Sequence, residues 1–556
     1  MDTYINLGIN ADYMNPEHWR ILYRQTLQLL EAAPARPSRL VLQTWRGFRC
    51  SVITRQLESE EFHGGRHWMV EGDPFAKRQL ETFMLCEDLT YYRANRHRRR
   101  LPNKDIVQLV GNKKGPHARE VFDALVQNSS CHLELLAAAM WIESCCPEFA
   151  YVMGDFDLAQ CQQAAELIAE HLGEKVTLPL CVSPQRLMAR LKKHYSATDY
   201  LDYFRVLFNG RPTTVLTAML AHARREDVLV WYTSHFKRIK PRSNKAIQWY
   251  NAWLNAGQDL NELCFLLLND PRGPHFQAVT LAECLARSRL TIPPADRLIA
   301  KMQNLPVSHP HFTYTIFREV MLKGPELKGY DIKTYIPMDQ VIQALCAQCP
   351  LHAKRIDKRF RKYHQWMLGM QQSSVDILAG LHAALQPDTN GIFYDQMFFA
   401  RIDPADLNDS HIPWLDQVAR NLRTCRNKIA GNAATASWVE QSSKVYLDTI
   451  AYLCSENGVI LSQDVWDRLE AEQDRDLLFT ATMLTSFNYS MREFRNLRLG
   501  ILENNELFKW ITKRSYQHPR SLSKQTQTHK QPLFKGHQLH GKLLKLARQY
   551  QPLNVG

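Results

Sequence analysis

Nowhere in the 556 residues is there an apolar run approaching the ~18 residues that a membrane-crossing helix needs. The opening stretch MDTYINLGINADYMNPEHWR carries acid and asparagine where a secretory signal needs a basic and then an apolar run. Also missing are G-x-G-x-x-G and G-x-x-x-x-G-K-S/T, so neither a Rossmann cofactor fold nor Walker-type nucleotide hydrolysis has a sequence basis. G-x-S-x-G and H-E-x-x-H are absent as well, which removes the simplest signatures of an α/β-hydrolase and a zinc protease. Cysteine is sparse: thirteen residues, an odd number, are spread from Cys50 to Cys454 without dense clusters. That usage fits a reduced compartment better than a disulfide scaffold. The expectation is a soluble, cytoplasmic or otherwise intracellular chain without transmembrane insertion. Acidic residues vanish altogether from Ile511 to Gly556, which holds nine Lys or Arg. This segment therefore supplies nine of the thirteen net positive charges.

What is present is an ordinary folding composition, 45% hydrophobic and 22% charged, long enough for several cores. The patterning predicts a mainly α, multidomain protein with a small N-terminal mixed α/β unit, followed by helical domains and a basic C-terminal tail. Expected boundaries are 1–115 for the α/β unit, 116–308 and 309–510 for helical domains, and 511–556 for a partly flexible tail.

In the first part, Ile5, Leu7 and Ile9 alternate as on a half-buried strand, and Asn15 with Pro16 reads as a helix cap and first turn. RLVLQTW, CSVITRQL and HWMVEG read as strands of one small antiparallel sheet. HLELLAAAMWIES is apolar nearly all round, as in a helix buried on several sides. Further helices are expected near 156–172, 184–208, 212–224, 246–268 and 276–289. Ser437 with Glu440, and Ser490 with Glu493, have capping-box spacing. Near the end, Leu539, Leu543, Leu544 and Leu546 accompany Lys542, Lys545 and Arg548 in a short amphipathic pattern.

Cys346, Cys349 and His352 have the spacing of part of a structural Zn2+ site, since two thiolates on a turn and an imidazole nearby suit that ion. His364 or Cys425 would have to complete it. The competing reading is a helix end stopped by Pro350. His132 and Glu134 match the H-x-E of zinc deaminases but lack the P-C-x-x-C that completes those sites. Asp155 and Asp157 read as a polar turn and helix start.

A metal-dependent nuclease needs carboxylates on a divalent cation and a lysine near the phosphate. Glu326, Asp331 and Lys333 fit that need if 330–336 is a strand, which would turn Asp331 and Lys333 to one side.

The largest signal is cationic. Arg93, Arg96, Arg98, Arg99 and Arg100 form one run; Lys354, Arg355, Lys358, Arg359, Arg361 and Lys362 form a second, with 354, 358 and 362 on a helical stripe. Lys237, Arg238, Lys240, Arg242 and Lys245 lie beside Trp231, Tyr232 and Phe236, a mixture suited to stacked bases and phosphates, the competing reading being rings buried against adjacent helices. Lys513, Arg514, Lys542, Lys545 and Arg548 add the tail. On Trp414–Ile429, Val418 and Leu422 read as a core face and Arg420, Arg423 and Arg426 as outward charge. The leading expectation is a nucleic-acid-binding protein, for DNA or RNA, that meets the phosphate backbone through these residues. Its competitors are the nuclease and a helical adaptor or effector component for an acidic protein or membrane surface.

Overall fold

The computed structural model describes residues 2–32, 38–62, 65–71, 82–93, 105–111, 118–127, 131–196, 199–297, 300, 332–384, 400, 402–407, 412–432, 436–486 and 492–516. It is a mostly helical, multidomain protein with a small mixed α/β region near the N-terminus. The chain divides into two compact units: Met1–Pro34, Glu60–His67 and Met84–Asp388 form one, and Ala35–Ser59, Trp68–Phe83 and Thr389–Gly556 the other.

In the first unit, Asp2–Ile9 is the central strand of an antiparallel sheet, between Arg119–Gln127 and Ala150–Gly154. Both neighbours lie beyond residue 115, where the sequence pattern turns helical. The alternation read in the sequence places Ile5, Leu7 and Ile9 in the core. The glycine at 154 is required because a Cβ there would sit 1.9 Å from the Tyr4 carbonyl oxygen. Helix Pro16–Ala32 opens as expected, with the Asn15 Oδ1 accepting from the Glu17 and His18 amides. His132–Cys145 is buried on several sides, as its sequence implies. Asp157 and Gln160 form a reciprocal capping box at Leu158–Leu172, so the Asp155–Asp157 motif is a turn and helix start. From Pro184 onward, short helices stack to Arg287, and Met338–Gln348 and Ala353–Ala384 complete the unit's described helices.

The second unit is built on the hairpin Arg39–Trp45 and Phe48–Thr54, whose Arg46-Gly47 turn has positive φ at both residues. Phe48–Thr54 also pairs in parallel with Leu461–Ser462. Gly65–Val70 instead pairs within a separate sheet containing Glu58–Phe62 and Phe83–Cys86, so the expected single sheet is replaced by two. Around the hairpin, Tyr446, Ile450, Trp466, Leu478, Leu484 and Ile511 build one hydrophobic core. Trp45 stacks on Trp466 with centroids 5.0 Å apart. Ser437–Glu440 lies in a 3-10 turn, and the following helix starts only at Ser443, so the capping-box expectation there is not met. Ser490 lies outside the described residues.

Candidate nucleic-acid interface

Helix Arg225–Lys237 directs its aromatic rings inward. The Trp231 indole donates to Asp202 at 2.9 Å, the Tyr232 hydroxyl donates to the Trp249 carbonyl at 2.8 Å, and Phe236 stacks on Tyr250. All three rings are buried, so of the two readings of them, stacked bases or core, the core role holds. With the rings committed, the cations that follow project outward: Lys237, Arg238, Lys240, Arg242 and Lys245 are exposed. The turn carrying them is pinned, because the Pro241 carbonyl accepts from Tyr250 and from the Cys284 thiol. Ser243 then caps helix Asn244–Asn255 through the Ala246 amide.

Helix Ala278–Arg287 supplies the residue that organises this face. Glu283 is buried, and each of its carboxylate oxygens holds one arginine: Arg242 at 2.9 Å and Arg359 through its Nε. A buried carboxylate demands such partners, since an uncompensated ion in the interior is strongly disfavoured. Two segments more than a hundred residues apart in sequence are thereby tied to one point. Arg287 adds a contact to the Arg242 carbonyl at 3.5 Å.

On helix Ala353–Ala384, Arg355 lies one turn before Arg359 and Lys362 about one turn after it, so the three share a face. Lys354, Arg355, Lys358 and Lys362 are exposed and make no ion pair among the described residues. Arg361 differs: Asp357 at 2.8 Å and Asp339 at 2.9 Å occupy its guanidinium. Arg238 has Asp202 at 3.6 Å.

Beside the turn lies an open depression of about 620 Å3, with Lys237, Arg238, Lys240 and His275 on its rim and Phe236 and Phe276 beneath. Among the described residues, His275 is one of three non-glycines at positive φ, here 50°, a conformation that costs backbone energy. Behind this face, burial lowers the His235 pKa to about 4, helped by the Arg205 and Lys245 cations. That ring is neutral at physiological pH and adds no charge of its own.

The other expected sites are not assembled among the described residues. Cys349 caps the helix Met338–Gln348 and His352 ends a short 3-10 turn, the helix-end arrangement that competed with zinc. The Cys346 thiol approaches the Ala353 carbonyl at 3.9 Å, and His364 is hydrogen-bonded to Thr291 at 2.9 Å. Among the described residues, no three His, Cys, Asp or Glu gather to hold a metal ion. His132 bonds to Gln160 at 3.1 Å. Residues 332–337 form no strand; the Asn255 side chain accepts from the Lys333 amide at 2.8 Å, and Arg297 holds the Thr334 carbonyl at 2.8 Å. The strand geometry invoked for a nuclease centre is therefore missing at Lys333, while Glu326 and Asp331 lie outside the described residues.

The second unit corrects the tail. Residues 511–516 end helix Asn505–Tyr516; Ile511 is buried, and Arg514 binds Asp416 and lies over the Trp510 ring. Lys513 is exposed. Arg423 and Arg426, read as outward charge, turn inward. Arg423 donates to the Arg514 and Ser515 carbonyls, satisfying acceptors that a helix end leaves unpaired. Arg426 pairs with Asp476 at 3.2 Å and lies over Tyr516. Arg96, Arg98, Arg99, Arg100, Lys542, Lys545 and Arg548 lie outside the described residues.

Sequence reasoning missed Glu283, Arg287 and His275. Only Glu283 left a faint signal, as a lone acid on the apolar side of LAECLAR.

The fold defines a class: a mostly helical, multidomain protein with a small mixed α/β region near its N-terminus. Among the described residues no helix is long and apolar enough to cross a membrane. The chain matches no protein-family model, no curated protein and no solved structure.

Proposed function

We propose that this chain binds nucleic acid by holding its phosphate backbone against the basic face of the first unit. The observation that carries this reading is the double clamp on Glu283, which fixes Arg242 and Arg359 together and so joins the two basic segments. One carboxylate against two guanidiniums leaves local positive charge. Around it, Lys237, Lys240, Arg355 and Lys358 stay exposed without an ion pair among the described residues. Lysines act there as point charges and Arg355 as a fork for two phosphate oxygens. Such contacts position a backbone without reading its sequence, so binding is expected to be largely sequence-independent and steeply salt-dependent.

The test is filter binding of duplex DNA, single-stranded DNA and RNA by the full chain across a salt series. A variant with Lys237, Lys240, Arg355 and Lys358 changed to alanine is measured alongside it. For duplex DNA, each lost phosphate contact lowers the slope of log affinity against log salt by about 0.9. Arg361→Ala, which removes a cation already engaged by acids, leaves the slope unchanged. Failure of all three nucleic acids to bind at low salt overturns the proposal, as does an unchanged slope in the fourfold variant. Retention of a protein partner by a chain that binds no nucleic acid points to the adaptor reading instead.

A further inference from the structure

The helix Ala353–Ala384 carries a second surface, distinct in chemistry from its basic end. Its own packing is made by Ile356, Phe360, Met367 and Gln371, which are buried. An adjacent stripe, Trp366, Met370 and Ile377, is 50, 49 and 52% exposed. With half-buried Tyr363 and exposed Ser373, these positions follow the alternating three- and four-residue spacing of a helix-to-helix seam. Beside Trp366 and Met370 lies an indentation of about 180 Å3, closed on its far side by Arg287 and Arg289. Large apolar side chains concentrated on one helical seam mark an interaction surface rather than ordinary surface scatter.

We infer that this seam docks on the same seam of a second copy of the chain, the two helices crossing antiparallel near Gly369. Three features favour a second copy over another occupant. A Cβ built on Gly369 would meet nothing within 4 Å, so the flank beside Met370, the middle of the seam, is open and lets two backbones approach closely. Lys362 and Asp376 lie seven residues to either side of it on the same flank. An antiparallel two-fold arrangement therefore puts Lys362 opposite the partner subunit's Asp376, and the same pair recurs across the axis. Asp376 makes only a hydrogen bond from Gln372 within its own helix, at 2.8 Å, and Lys362 makes no ion pair among the described residues. In a parallel pair, the two-fold axis instead puts the flank carrying Lys362 and Asp376 on opposite sides of the seam in the two copies, so this pair is not made. The indentation beside Trp366 supplies room for a side chain of the second seam. A crossing, rather than two helices running alongside, leaves Arg355 and Arg359 uncovered.

Sedimentation equilibrium of the full chain from about 1 to 100 µM tests this. The apparent mass is expected to rise from 64.6 kDa toward twice that value. Met370→Asp and, separately, Trp366→Gln are expected to hold the chain at the single-chain mass with unchanged circular dichroism. Lys362→Glu turns two attractive pairs into two repulsive ones and weakens association on the order of tenfold. Adding Asp376→Lys to Lys362→Glu restores it, which no parallel or unrelated contact would do. A wild-type mass fixed at 64.6 kDa across the series overturns the inference. So does self-association that ignores Met370→Asp, or a charge swap that fails to restore association while the fold is intact.

Discussion

Glu143 offers a sharp test of the energetics because it is a fully enclosed carboxyl with its partners identified. It sits near the end of helix His132–Cys145 and accepts from the Val152 amide at 2.6 Å and the Leu180 amide at 2.7 Å. Burial pushes its pKa from 4.5 to about 7 despite the opposing pull of those two amides. The folded state therefore holds its proton more tightly than the unfolded chain, and the linkage has a definite sign. Stability from this group is complete below the unfolded value and is lost as pH rises through the folded one. With these two pKa values, the loss between about pH 5 and pH 8 is about 2.5 kcal/mol. Glu143→Gln keeps the shape and removes the ionisation. The stability of the variant minus that of the wild type should then grow by about 2.5 kcal/mol over that range, whatever the other groups do. Urea unfolding of both full chains at several pH values, followed by circular dichroism and tryptophan fluorescence, measures this difference. A difference that stays flat, or that shrinks as pH rises, refutes the account of Glu143 as a carboxyl dominated by its desolvation.

Three other outcomes follow from the second unit. Trp466→Ala removes a ring that is 1% exposed and stacked on Trp45, and should cost about 3–5 kcal/mol in denaturant unfolding. Arg46 reaches Asp448 at 3.0 Å and Glu470 at 2.7 Å from the hairpin turn; Arg46→Ala should lower stability by about 1 kcal/mol, less at high salt because solvent screens part of the pair. A chain ended after Lys509 loses buried Ile511 and the Arg514–Asp416 pair, so its thermal midpoint should fall.

Much of the fold was legible because its signals are local. Alternation at Ile5, Leu7 and Ile9, the Asn15 cap, and the apolar girth of His132–Cys145 each depend on neighbours within a few turns of chain, and each is found in the structure. The strands Arg119–Gln127 and Ala150–Gly154 were not legible. The first has no clean alternation, and both are fixed by pairing with Asp2–Ile9, far away in sequence. The same holds for the pairing of Phe48–Thr54 with Leu461–Ser462, where roughly four hundred residues separate the partners.

The candidate site divides along the same line. Lys237, Lys240, Arg355 and Lys358 were identified from charge alone and are exposed. Arg361, Arg514, Arg423 and Arg426 looked equally available, yet acids or helix-end carbonyls engage them. By itself the sequence determined the mainly helical character, the positions of the cations and the lack of acid after Ile511. Only the tertiary structure decided which described cations are neutralised, because electrostatic pairing acts over a few ångströms and folding alone brings the partners that close. Glu283 and Arg359 meet across 76 residues, and Asp416 and Arg514 across 98, separations at which a linear reading of charge carries no information about contact.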